Sequence, residues 1–88
     1  MQAYVEGRSA HLTATEFRLL YTLAREGGRV VSRDELLQRI WGRRRGYRDR
    51  TVDVFVRKVR DKLEAAGARR TYIQTRYGVG YKLEPLPK

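Results

Sequence analysis

Hydrophobic residues in this 88-residue chain fall into three stretches with helical spacing, flanked by two stretches that alternate. In "LTATEFRLLYTLAREGG", Thr13 and Glu16 have the Thr-x-x-Glu spacing of a capping box, and Leu12 precedes the cap where it can staple against Phe17. Phe17, Leu20, Tyr21 and Ala24 continue at three- and four-residue spacing, and Gly27-Gly28 supply a left-handed exit, so a first helix is expected over about 14–26. The device repeats in "VSRDELLQRIWG". Here Ser32 caps, Glu35 answers it, Val31 and Leu36 form the staple, and Leu37, Ile40 and Trp41 face a core before Gly42, which predicts a second helix over about 33–41.

The third stretch, "RDRTVDVFVRKVRDKL" from Arg48 to Leu63, reads two ways. A strand with Val52, Val54 and Val56 inward would also bury Lys58 and Arg60 and leave Phe55 and Val59 on the wet face. A helix over about 50–64 gathers Val52, Phe55, Val56, Val59 and Leu63 on one stripe, with Asp49 available as its cap. The β-branched valines each lower helix propensity by only a few tenths of a kcal/mol, so the helix is the consistent reading. At 100° per residue the opposite side then carries Arg50, Val54, Arg57, Lys58 and Asp61, with Thr51 at its flank. The alternating flanks predict strands. "AYVEGRSAHL" pivots on Glu6-Gly7 as a short hairpin or two edge strands. "RRTYIQTRYGVGYKLE" predicts a hairpin with strands near 71–75 and 79–84, Ile73, Tyr81 and Leu83 facing the core, and Thr75, Arg76 and Tyr77 at or near the tip. Pro85 and Pro87 mark 85–88 as a loose tail. With no repeat or linker, the whole of 1–88 reads as a single α+β domain of winged helix-turn-helix order: hairpin, three helices, hairpin.

Charge gives this arrangement a chemical meaning. Twenty Lys and Arg against ten Asp and Glu leave a net charge of +10, which attracts polyanions. Nine of the cations lie between Arg43 and Lys62, against three acids, so the excess is concentrated on the third helix and the segment before it. Arg or Lys on the outside of a groove-sized helix can pair with guanine edges or phosphates, and Val54 can touch a thymine methyl. Duplex DNA is therefore the expected partner. The absence of cysteine removes disulfides, thiolate chemistry and cysteine-based zinc sites. The lone His11, with no paired carboxylates nearby, reads as a sheet-surface residue, and no metal or cofactor is expected. No apolar run approaches the roughly 18 residues of a membrane span, and "MQAYVEGRSA" lacks the apolar core of a secretion signal, so a cytoplasmic protein is expected.

Three segments, "LTATEFRLLYTLAREGGRVVSRDELLQRIWG", "DRTVDVFVRKVRDKL" and "IQTRYGVGYKLE", together resemble the DNA-binding output domain of OmpR/PhoB-type bacterial response regulators, in the right order and spacing. The resemblance implies a recognition helix in the major groove and a wing over about 71–84 reaching the adjoining minor groove. It also implies a loop between the second and third helices that touches RNA polymerase. Carried onto this chain, Arg50, Thr51, Val54, Arg57 and Lys58 match positions that meet bases or phosphates. Trp41 matches a backbone-contacting position, besides its packing role, and Thr75 with Arg76 or Tyr77 matches the wing. Arg43, Arg44, Arg45 and Tyr47 form the loop, for which two roles stand open: diffuse phosphate attraction or the polymerase contact. Phe55 stands where many relatives have His, and Arg76-Tyr77 where many have Val-Arg, which leaves open which wing side chain enters the minor groove. In this family a receiver domain, phosphorylated by a sensor histidine kinase, promotes pairing of two copies on direct-repeat half-sites. That domain is absent here, so the chain is expected to be a fragment of a longer regulator whose isolated affinity is weak.

Two other classes are weighed. An enzyme would need a tyrosine such as Tyr77 attacking a DNA phosphate, as in recombinases, and would leave a covalent adduct; the expectation is that the chain is not an enzyme. An RNA- or ribosome-binding domain could use the same basic surface, but the wing lacks the aromatic-rich sheet that stacks unpaired bases.

Overall fold

The computed structural model describes residues 2–43 and 49–88. Strands β1 (Gln2–Val5) and β2 (Arg8–His11) pair antiparallel around a two-residue turn. Both turn residues, Glu6 and Gly7, have positive φ, +51° and +82°, the geometry whose twist suits a tight hairpin. Helix α1 (Ala14–Arg25) starts at the expected capping box: Thr13 Oγ1 accepts from the Glu16 amide at 3.2 Å, and Glu16 Oε1 accepts from the Thr13 amide at 2.8 Å.

The buried face of α1 differs from the expected one. Glu16, Leu19 and Leu23 are the buried residues and Leu20 is half-buried, while Tyr21 and Ala24 point outward and Phe17 sits at the boundary, stacked on Tyr21 at 6.1 Å. Both sets have helical spacing and differ by a rotation of about 100°. The one chosen allows Glu16 to meet Lys62 of the third helix at 2.6 Å.

A two-residue strand that the sequence did not announce, β3 (Val31–Ser32), precedes α2 (Arg33–Trp41). Ser32 Oγ accepts from the Glu35 amide at 3.1 Å, as expected of the cap. Glu35 does not reciprocate, because its carboxylate is taken by Arg29 at 2.9 Å and Arg39 at 3.1 Å. Gly42 ends α2 with φ +70°. Helix α3 (Thr51–Ala65) follows, then β4 (Arg70–Arg76) and β5 (Gly80–Pro87), and the second sheet has the order β3-β5-β4, all antiparallel. Pro85 and Pro87 do not form the expected tail: Arg70 stands opposite Pro87 and Thr71 opposite Leu86. A proline lacks only the donor, so it is tolerated where the missing N–H is not needed by the ladder.

One core joins these elements. Leu19, Leu23, Val31, Leu36, Leu37, Val56, Val59 and Ile73 are its fully buried side chains, each contributing about 1.5–3 kcal/mol of transfer free energy. At the β3–β5 seam the backbones approach so closely that a Cβ on Gly80 would lie within 2.8 Å of Ser32 Cα and closer still to the Val31 carbonyl. That seam ties the start of α2 to the β4–β5 hairpin close to its tip, where Gly80 stands opposite Arg76.

Candidate nucleic-acid interface

Helix α3 has the two faces its period demands. Val52, Val56, Val59 and Leu63 are buried, and Phe55 is half-buried with its ring edge-on to Trp41 at 5.0 Å. Arg50, Val54, Arg57, Lys58 and Asp61 are exposed, and Val54 is 47% accessible despite its apolar side chain. The Lys58 ammonium lies 4.8 Å from the centroid of the Phe55 ring, which steadies its stem while its charge stays in water.

The start of α3 departs from expectation in its cap. Val54 N–H bonds to Arg50 O at 2.9 Å, so the helical ladder begins at Arg50, which provides no side-chain cap bond. Asp49 acts from one residue further out, its Oδ1 accepting from the Thr51 amide at 2.9 Å. Arg43, placed by the sequence in the loop, reaches across to this terminus and donates to Asp49 Oδ2 at 2.7 Å and to Thr51 Oγ1 at 2.8 Å. Arg44, Arg45 and Tyr47, named with it as loop residues, lie outside the described residues. Trp41 is half-buried, its ring packed on Phe55.

The β4–β5 hairpin turns through Tyr77-Gly78-Val79, closed by Val79 N–H donating to Arg76 O at 2.9 Å. Gly78 has φ +78°, a conformation that costs glycine little and other residues much. Tyr77, 91% accessible, and Arg76 project at the tip. Thr75 is different: it is half-buried, and its Oγ1 accepts from Arg60 Nη2 at 2.8 Å.

Contacts thus sort the cationic run. Arg43 is matched by Asp49, Lys62 by the buried Glu16, and Arg60 is committed to β4, donating to Ile73 O from Nη2 at 2.8 Å and Nε at 3.2 Å. Arg50, Arg57 and Lys58 have no carboxylate partner among the described residues, and neither does Arg76. Burial pushes the Glu16 carboxyl up, but hydrogen bonds from Lys62 and Thr13 outweigh it and hold its pKa below the ordinary value.

Sequence reasoning missed a polar cluster behind the interface. Asp53, in the first turn of α3, accepts from Arg33 Nε at 2.8 Å and from the Tyr81 hydroxyl. The Arg33 guanidinium also lies 5.0 Å from the Tyr81 ring centroid. The Asp53 bond raises the Arg33 pKa, while burial and then Asp53 raise that of Tyr81. One signal was present: a tyrosine expected in the core needs a partner for its hydroxyl, and Asp53 flanks the apolar stripe of α3.

A basic, outward-facing helix beside a β-hairpin on a three-helix core makes this an α+β winged helix-turn-helix domain. The chain belongs to the family described as "Transcriptional regulatory protein, C terminal", which matches residues 7–83, and the OmpR/PhoB kinship holds. It is 43% identical over 83 residues to the transcriptional regulatory protein BaeR of Escherichia coli, covering 94% of this chain and 35% of BaeR. The chain thus spans about a third of the length of that relative. Among solved structures it is similar to the DNA-binding domain of Klebsiella pneumoniae RstA, determined in complex with the RstA box, with a TM-score of 0.82 and 32% identity over 97% of this chain and 84% of that one. The DNA-binding domain of E. coli CpxR is similar too, with a TM-score of 0.81 and 36% identity over 93% of this chain and 80% of that one. The family is one of transcriptional regulators rather than enzymes, and no described helix is long and apolar enough to cross a membrane.

Proposed function

We propose that this domain binds double-stranded DNA sequence-specifically, as the output domain of a cytoplasmic two-component response regulator. The observation that carries this reading is the outer face of α3, where Arg50, Arg57 and Lys58 surround Val54 without carboxylate partners among the described residues. A helix of this width enters the major groove; Arg and Lys read guanine or hold phosphate there, and Val54 meets thymine methyls. Thr51 lies at the edge of the same face. Arg76 and Tyr77 at the hairpin tip reach into the adjoining minor groove. Trp41, at the end of α2, offers its indole N–H to the backbone. The RstA domain, similar along nearly all of this chain, was solved with its DNA box.

One helix and one wing form a small interface. Useful affinity comes from a second copy on an adjacent direct-repeat half-site, each copy raising the other's effective concentration. In the longer regulator, a receiver domain phosphorylated by a sensor histidine kinase promotes that pairing, and the segment from Arg43 through Tyr47 has two roles open to it, diffuse attraction of phosphate or contact with RNA polymerase.

The test is selection of bound duplexes from a random pool, with structured RNA as competitor at matched salt. The expected outcome is a short motif recurring as a direct repeat, displaced far better by specific duplex than by RNA. Enrichment of no motif, or RNA competing equally, would overturn the reading.

A further inference from the structure

Asp53 and Arg60 are seven residues apart on α3, a rotation within about 20° of two full turns, so both lie along one side of the helix, facing the three-stranded sheet. Between them sits Tyr81, the residue of β5 that pairs with β3 at Val31 on one edge and with β4 at Thr75 on the other. Its hydroxyl donates to Asp53, and its ring centroid lies 5.8 Å from the Arg60 guanidinium. Arg60 then passes to β4, the outer strand of the sheet, where carbonyls facing away from β5 have no ladder partner. It donates twice to Ile73 O and once to Thr75 Oγ1, just below the tip that carries Arg76 and Tyr77.

A planar guanidinium bridging two acceptors on one strand resists both sliding and rotation, as a single ammonium would not. Core packing around Ile73 and Tyr81 and the β3–β5 ladder hold the hairpin against the body of the domain. The Asp53–Tyr81 and Arg60–β4 bonds add a directional restraint between α3 and the hairpin, close to its tip. A helix in the major groove and a tip in the next minor groove can be engaged together only at a narrow range of angles between the two, since a small misplacement of a positioned group is costly.

We propose that Arg60 and Asp53 are positioning residues that hold the wing at the angle required for helix and tip to bind one duplex together, and that Thr75 belongs to this brace rather than to the contact surface. This rests on the duplex-binding reading. Arg60 therefore contributes to specificity without touching DNA, although by charge alone it looks like any phosphate-binding arginine of the run.

The experiment uses the 88-residue chain and a duplex enriched from the random pool. R60M keeps the aliphatic stem and removes the donors; R60K keeps the charge but cannot span both acceptors. Each is measured alone and combined with R76A/Y77A, together with hydroxyl-radical footprints. R60M is expected to weaken binding about five- to tenfold and to remove protection at the wing flank only. Adding R76A/Y77A to it should then cost less than about twofold more, since the two changes act through one contact. R60K should behave like R60M. Recovery of wild-type binding by R60K, full additivity with R76A/Y77A, or a salt slope shallower by about one with an unchanged wing footprint would mark Arg60 as a plain phosphate contact and overturn the proposal. Should R60M melt below the assay temperature, T75V removes one acceptor at similar volume; it is expected to thin the same wing-flank protection, and an intact footprint in T75V would overturn the brace. Failure of the wild-type chain to prefer the enriched duplex over random DNA would instead sink the duplex-binding reading itself.

Discussion

Helices α2 and α3 both carry arginines at their surfaces and both bury an apolar stripe, yet they treat their cations oppositely. On α2 the cations are matched. Arg39 meets Glu26 and Glu35, Arg33 meets Asp53, and Arg29 from the preceding turn closes the network onto Glu26 and Glu35. On the outer face of α3, Arg50, Arg57 and Lys58 have no such partners among the described residues. A matched surface network has its electrostatic needs met within the molecule. A set of unmatched cations on one helix face repel one another when the domain is free; salt screens part of that repulsion, and an external polyanion turns it into attraction. Counting charges placed the cationic excess at α3 and the segment before it. Partnering shows which of those cations are left unmatched.

The largest effect is expected at the seam that ties the start of α2 to the hairpin beside α3. G80A places a methyl against the Val31 carbonyl at the β3–β5 seam, where backbone must move to admit it, and should cost about 3 kcal/mol or more or prevent folding outright. Thermal melts by circular dichroism would show it, and a melt unchanged from wild type would mean that the seam does not couple α2 to the wing. Next comes K58A, which removes an unmatched cation. It should weaken binding to an enriched duplex by about 1–3 kcal/mol, and random DNA far less, if Lys58 reads a base; equal losses on both would demote it to a phosphate contact.

Acid should then distinguish the inward-turned charge from the outward ones. Glu16 has a depressed pKa in the folded state, so its contribution is complete above the ordinary glutamate value of about 4.3 and is lost as pH falls through the lower folded value. E16Q should cost about 1 kcal/mol near neutrality, since the half-exposed Lys62 is partly screened by water, and should flatten the acid limb of stability in urea titrations. An acid limb of unchanged steepness would remove Glu16 from its cause. The smallest effect belongs to R39A: loss of an exposed network partner should change stability by no more than about 0.5 kcal/mol and leave duplex affinity untouched. A clear loss of DNA affinity in R39A would erase the distinction between the two helices.

How far the interface could be read from sequence differs by residue. Val52, Val56, Val59 and Leu63 repeat with a period that only a helix can bury, so the inward and outward sides of α3 were legible, Val54 included. The first helix was legible as a helix but not in its facing. Phe17–Leu20–Tyr21–Ala24 and Glu16–Leu19–Leu23 are both helical stripes; the second fully buries Leu19 and Leu23 in the common core, and Lys62, 46 positions away, makes the accompanying burial of Glu16 tolerable. Arg43 and Arg60 looked like members of one cationic run; their partners Asp49, Thr51 and Ile73 are what remove them from it. Two prolines looked like a frayed end, yet both lie within β5, and β4 places Arg70 opposite Pro87.

Local order in the chain was therefore enough to determine the helices, their caps at Thr13 and Ser32, the hairpin turns and the outward-facing side of α3, because each depends on residues within about a turn or two of one another. Which stripe of α1 is buried, the short strand at Val31–Ser32, and which arginines are spent inside the domain were decided only by tertiary structure. Those outcomes depend on pairs far apart in sequence, such as Glu16 with Lys62, Asp53 with Tyr81 and Arg60 with Ile73, whose meeting leaves no periodic mark on either segment.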